Sequence, residues 1–99
     1  MLYLAVLTFD LDSDSQDLYD NLNEGLADIG LKKELQASSG KTVQLPSNTY
    51  AGKIAGIKQA QVYEMIVGQV EEIFSDNGAH GRIFLTVSGG SPCWMVKNL

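Results

Sequence analysis

Cysteine occurs once in the 99 residues, at Cys93, so neither an intramolecular disulfide nor a cysteine-based zinc site is available, and a reducing, cytoplasmic setting is expected. Histidine is equally scarce. His80 sits in Gly78-Ala79-His80-Gly81, a turn-forming stretch, and reads as a solvated loop residue before it reads as a catalytic base. Basic residues number 7 against 12 acids, a formal charge of −5. That balance opposes non-specific binding to nucleic acid, which depends on Lys and Arg displacing counterions, unless a local basic patch or a metal ion intervenes. No apolar run approaches the ~20 residues of a membrane-spanning helix. The longest, Leu2 to Phe9, has no basic residue before it and no small-residue cleavage site after it, so it does not read as a signal peptide and no membrane association is expected.

The composition is that of a folded domain, with 44% hydrophobic and 19% charged residues, and the length suits one domain spanning residues 1–99. Leu2 to Phe9 is nearly all apolar and suits a central strand. Ser13-Asp14-Ser15-Gln16 matches a capping box, which starts a helix near Asp14. Leu18, Leu22, Leu26 and Ile29 then recur at helical spacing, and Gly30 supplies the left-handed position that ends many helices. Leu31 to Ala37 reads as a strand, Ser38 to Lys41 as a turn, and Thr49 to Ile54 as a strand resuming after Pro46. Lys58 to Ser75 carries Val62, Met65, Ile66, Val70, Ile73 and Phe74 on one side of a second helix, stopped by Asp76-Asn77-Gly78. Arg82 to Val87 is a strand again, and Ser88-Gly89-Gly90-Ser91-Pro92 is a turn rather than a phosphate loop, since it lacks the strand-loop-helix context.

Two amphipathic helices alternating with short strands define an α+β, ferredoxin-like β-α-β-β-α-β two-layer sandwich, helices on one face of a mainly antiparallel sheet. Cys93 to Val96 is expected to add a C-terminal strand. It is either an edge strand of its own sheet or, with Trp94 and Met95, a dimer interface that pairs with a second copy.

The chemistry-bearing stretch is Phe9-Asp10-Leu11-Asp12-Ser13-Asp14. As a calcium loop starting at Asp10 it fails, because Ser15 and Asn21 stand where Gly and Glu are needed. As the first motif of haloacid-dehalogenase phosphatases it lacks the later motifs and the larger parallel sheet. Asp12, Ser13 and Asp14 read as helix-start chemistry. Asp10, at the carboxyl end of the first strand, is either part of that helix start or a catalytic and metal-binding carboxylate for phosphodiester cleavage, with a divalent ion such as Mg²⁺ supplying the activated water. Lys32, Lys33 and Lys53 are a solvated face or phosphate contacts, and Tyr50 and Tyr3 are packing residues or base-stacking ones.

The segments Tyr3-Leu4-Ala5-Val6-Leu7-Thr8-Phe9-Asp10, Asp28-Ile29-Gly30-Leu31 and Gln44-Leu45-Pro46-Ser47-Asn48-Thr49-Tyr50-Ala51 resemble the ferredoxin-like superfamily of CRISPR-associated spacer-acquisition nucleases, VapD-type ribonucleases and GhoS-type antitoxins. The resemblance implies a homodimer with RNA or DNA as substrate or ligand, and in its nuclease branch a metal-binding Asp matching Asp10. On that footing the expected function is that of an endoribonuclease-like or single-stranded RNA-binding protein, an antitoxin or stress-related module. The competing expectation is a non-catalytic homodimeric protein-protein interaction domain.

Overall fold

A computed structural model describes residues 1–12, 15–90 and 92–99. Its elements run β1 (Leu2–Leu11), α1 (Gln16–Asp28), β2 (Glu34–Gln36), β3 (Thr42–Gln44), β4 (Thr49–Ala55), α2 (Gln59–Asp76) and β5 (Gly81–Ser88). The main sheet has the order β4-β1-β5, antiparallel throughout, and β2 and β3 form a separate two-stranded hairpin. Lys32 links the two sheets by bridging to Ala51 of β4. The order is that of the expected α+β sandwich, with the second strand position reduced to one bridge.

β1 is central because both of its faces carry apolar side chains. Tyr3, Ala5, Leu7 and Phe9 point into the main core with Leu22, Leu26, Ile66 and Val70 of the helices. Leu4, on the other face, joins Leu35 and Ala51 in a second, smaller cluster. Period-two alternation thus places one strand between two apolar layers.

Both helices end alike. In α1, Leu31 N–H donates to Leu26 C=O at 2.9 Å and Gly30 N–H to Ala27 C=O at 3.0 Å, with Gly30 at φ +92°. In α2, Ala79 N–H donates to Phe74 C=O at 2.8 Å and Gly78 N–H to Ser75 C=O at 3.1 Å. These are two Schellman motifs, and they satisfy carbonyls that the helix itself cannot. At its start α1 is capped by Ser15, whose hydroxyl accepts from Leu18 N–H. The capping box expected from Ser13 falls on residues 13 and 14, which lie outside the described residues.

Four expectations differ from the structure. Met65 is exposed, because the stripe that α2 buries is the i, i+4 row Val62, Ile66, Val70 and Phe74. The strand expected over Leu31 to Ala37 is broken into the Lys32 bridge and the three residues of β2. A strand not foreseen, β3, pairs with β2. The C-terminal segment 92–99 forms no strand; Trp94 instead packs, partly buried, against the Leu4, Leu35 and Ala51 cluster.

Two glycines test this packing in opposite directions. A Cβ on Gly52 would lie 1.9 Å from the Gly30 carbonyl oxygen, a backbone atom. Gly52→Ala is therefore expected to lower stability by about 1–3 kcal/mol through overpacking. Gly68, exposed within α2, has nothing within 4 Å of such a Cβ. Gly68→Ala is expected to raise stability by about 0.5–1 kcal/mol through helix propensity. Urea midpoints moving in opposite directions at constant m-value would verify both.

Candidate nucleic-acid interface

The helices leave one side of the main sheet open, and strand register determines what it carries. Leu4, Val6, Thr8 and Asp10 of β1 stand opposite Ser88, Thr86, Phe84 and Arg82 of β5. On the other flank Leu4 and Val6 stand opposite Lys53 and Ala51 of β4. Lys32, bridged to Ala51, shares that side by register. The hairpin and Trp94 cover the Leu4 end of this face. The Asp10 end stays bare.

That bare end is a groove of about 560 Å³ lined by Thr8, Asp10, Asn48, Thr49, Arg82 and Phe84, among others. Phe84 is 65% exposed, and of the residues on the other side of β5 only Val87 is buried. Asn48, at φ +62°, turns the chain into β4 after Pro46 and brings its loop over the groove. A Cβ on Gly81 would fall 2.0 Å from the Asp10 carbonyl oxygen, so the closeness of β5 to Asp10 depends on glycine at that position.

Charge is segregated between the layers. α1 carries Asp17, Asp20, Glu24 and Asp28, α2 carries Glu64, Glu71, Glu72 and Asp76, and neither helix contains Lys or Arg. All 7 basic residues lie outside the helices, where only Asp10, Asp12, Asp14 and Glu34 oppose them. The helices thus hold −8 and the remainder +3, which together make the −5 of the whole chain. Of the charged residues outside the helices, register puts Arg82, Lys53 and Lys32 on the open side of the sheet together with Asp10.

The residues singled out in the sequence separate accordingly. Asp10, Lys32 and Lys53 lie on the open side, with Lys53 Nζ donating to Gln36 C=O at 3.4 Å. Lys33 does not join them. Its Nζ sits 5.8 Å from the centroid of the Tyr50 ring. Of the two readings of Tyr50, packing is the one its burial supports, and base stacking is set aside. Tyr50 is 1% exposed, and its ring stacks on Phe9 at 5.2 Å. Its hydroxyl donates to the Asn23 side-chain oxygen. Tyr3 is likewise buried, donating to Ile57 C=O at 2.9 Å. His80 is exposed. Met95 is exposed beside a second depression of about 760 Å³, which Leu2, Lys53 and Trp94 also line.

Arg82 and Phe84 were missed in the sequence. Their signal was the alternation of Arg82-Ile83-Phe84-Leu85-Thr86-Val87: if Ile83, Leu85 and Val87 face the core, Phe84 is an aromatic left on the outer side.

Asp10 is the sole carboxylate lining its groove, and Arg82 stands directly across from it. Among the described residues no three His, Cys, Asp or Glu side chains gather into a group that could hold a metal ion. One carboxylate facing a guanidinium does not fit a Mg²⁺ ion held by a single chain, since the cation would meet a positive neighbour. The groove can do something simpler: offer the aromatic face of Phe84 and the cation of Arg82 to a ligand with flat rings and negative charge. No model of a known protein family and no curated protein matches this chain. No helix among the described residues is long and apolar enough to cross a membrane.

Tyr50 gives this arrangement a pH signature. Burial, and secondarily the nearby Tyr19, raise its pKa above the ordinary 10.0. The folded protein therefore keeps the phenolic proton where the unfolded chain has lost it. Its contribution is complete below pH 10 and is lost as pH rises through the folded-state value. Tyr50→Phe is expected to cost about 1 kcal/mol at neutral pH through loss of the Asn23 bond. It should also flatten the fall in stability above pH 10, measured by urea denaturation across that range.

Proposed function

We propose that the chain is a single-stranded RNA-binding module that receives its ligand on the open side of the sheet. One observation carries the reading: the helices take eight acids and no base, which leaves Arg82, Lys53 and Lys32 on the sheet side with an exposed Phe84 between groove walls of Thr8, Asn48 and Thr49. Unpaired bases are held by stacking on aromatic side chains, and the phosphates between them by Lys and Arg. Double-stranded nucleic acid fits less well, because its bases are already stacked and a single Phe has nothing to engage. The acidic helices turn the protein so that only one side approaches a polyanion. Asp10 disfavours phosphate at its own position and so helps restrict where the backbone runs along β5.

Nuclease activity is a second reading, favoured by Asp10 lying in the same groove as Phe84 and Arg82. It requires that bound RNA phosphates complete a Mg²⁺ site that the chain alone does not form. The interaction-domain reading has its own discriminator: a protein partner held by apolar contacts would not lose affinity steeply with salt.

Titrating the protein into labelled oligouridylate, without added metal and at several salt concentrations, separates these. Affinity should fall as salt rises. Lys53→Ala should reduce the log–log salt slope by about one. Phe84→Ala should weaken binding by about 1–3 kcal/mol, roughly 5- to 150-fold. No binding at low salt, or binding indifferent to both substitutions, would overturn the proposal. Shortening of the RNA that requires Mg²⁺ and disappears in Asp10→Asn would make the protein a nuclease.

A further inference from the structure

Among the described residues, the free edge of β5 is the one long strand edge left without protection. Hydrogen-bond parity shows which groups lie on it. Asp12 N–H donates to His80 C=O at 2.8 Å, and this pair lies in register with Asp10↔Arg82 and Thr8↔Phe84. The even residues of β5 therefore exchange hydrogen bonds with β1, and the backbone groups of Ile83, Leu85 and Val87 point away from the sheet. The same parity on β4 directs Ala51 outward, and there Lys32 takes both of its groups, at 3.0 and 2.8 Å. No equivalent partner meets β5 among the described residues.

Natural edges are blunted by proline, inward charge, bulges or shortness. β5 has eight residues, no proline and one charge, Arg82, at its start. It has no such device. An edge of this kind is a template for another strand, and an exposed Phe84 at the middle of the strand can oppose its own copy across a two-fold axis. We infer that β5 pairs antiparallel with β5 of a second copy of this chain, about a two-fold axis at Phe84.

The register follows from the same parity. Outward-pointing residues must bond to outward-pointing residues, which allows Ile83 to pair with the partner's Leu85 and Gly81 with the partner's Val87. Phe84 then faces the partner's Phe84 in a non-hydrogen-bonded pair, the closer of the two spacings. This register uses the whole of the strand from Gly81 to Val87. It also accounts for Phe84 at 65% and Ile83 at 40% exposure on one short segment, since an aromatic pair directly opposed across strands is a stabilising contact. The sheet becomes six strands with a continuous open side, and Arg82 stands opposite the partner's Thr86. The two Asp10 side chains are separated by three strand spacings, roughly 14 Å at ~4.8 Å each, and by four residues along the strands, about 13 Å at ~3.3 Å each, which puts them about 20 Å apart, so this dimer does not join them on one metal. The pairing does not require the RNA reading, although both use Phe84, and the test of the dimer is therefore made without RNA.

Sedimentation of the full chain across a concentration series, without RNA, tests the dimer. Dimerisation is expected, strengthening with salt because the two acidic helix layers repel, the opposite salt trend from RNA binding. Phe84→Lys, which opposes two like charges at the axis, should yield a monomer whose urea midpoint matches that of the wild-type chain diluted to its monomeric range. Register is tested by oxidation in a Cys93→Ser background. Phe84→Cys should cross-link to a covalent dimer, because directly opposed Cβ atoms meet disulfide geometry. Thr86→Cys should not, because it faces the partner's Arg82. A monomer at all concentrations, a dimer that survives Phe84→Lys, or equal cross-linking of the two cysteine variants would overturn the inference.

Discussion

Everything in this molecule depends on β1 being hydrogen-bonded on both sides while it alternates between two environments. Its odd residues, Tyr3, Ala5, Leu7 and Phe9, are committed to the helix-covered core. Its even residues, Leu4, Val6, Thr8 and Asp10, must then stand on the other side. A slip of one residue would expose the core set and bury Asp10, so burial fixes the register strongly. Through the ladders that register is imposed on β4 and β5, which is why Lys53, Arg82 and Phe84 share a surface although they are far apart in the chain.

The second consequence is electrostatic. Helices that cover one side of a three-stranded sheet have one solvated face, and in this chain that face is acidic in both. The strands and connections hold all the cations. Because the field of a polarised protein orients its partners, the formal charge of −5 is a poor guide to what the sheet side meets.

Much of the fold was legible in the sequence because its signals are local and repeated. The apolar run of β1, the i, i+4 rows of both helices and the glycines at Gly30 and Gly78 each indicate an element without reference to the others. The hairpin was less legible, since the strand after Leu31 is held to the sheet by one bridge at Lys32, and three-residue strands carry little periodicity. The C-terminal segment was misread for a related reason. An apolar stretch with Trp94 satisfies a strand pattern, yet its tryptophan packs, partly buried, over Leu4 and Leu35 without pairing. For the candidate site, residue type singled out Asp10, Lys32 and Lys53, which register puts on the open side, whereas Tyr50 kept two readings because an aromatic in β4 faces the core or the open side according to a register that only pairing with β1 reveals. Arg82 and Phe84 were missed because their importance comes from standing opposite Asp10 and Thr8.

The central claim is that the molecule has two chemically distinct sides and that the sheet side receives a single strand of RNA. Backbone amide shifts followed during titration with oligouridylate test it most directly. The account predicts that changes concentrate at Lys53, Arg82, Phe84 and Thr86, with the solvated amides of α1 and α2 unmoved. Changes centred on the helices, or none anywhere at low salt, would contradict it.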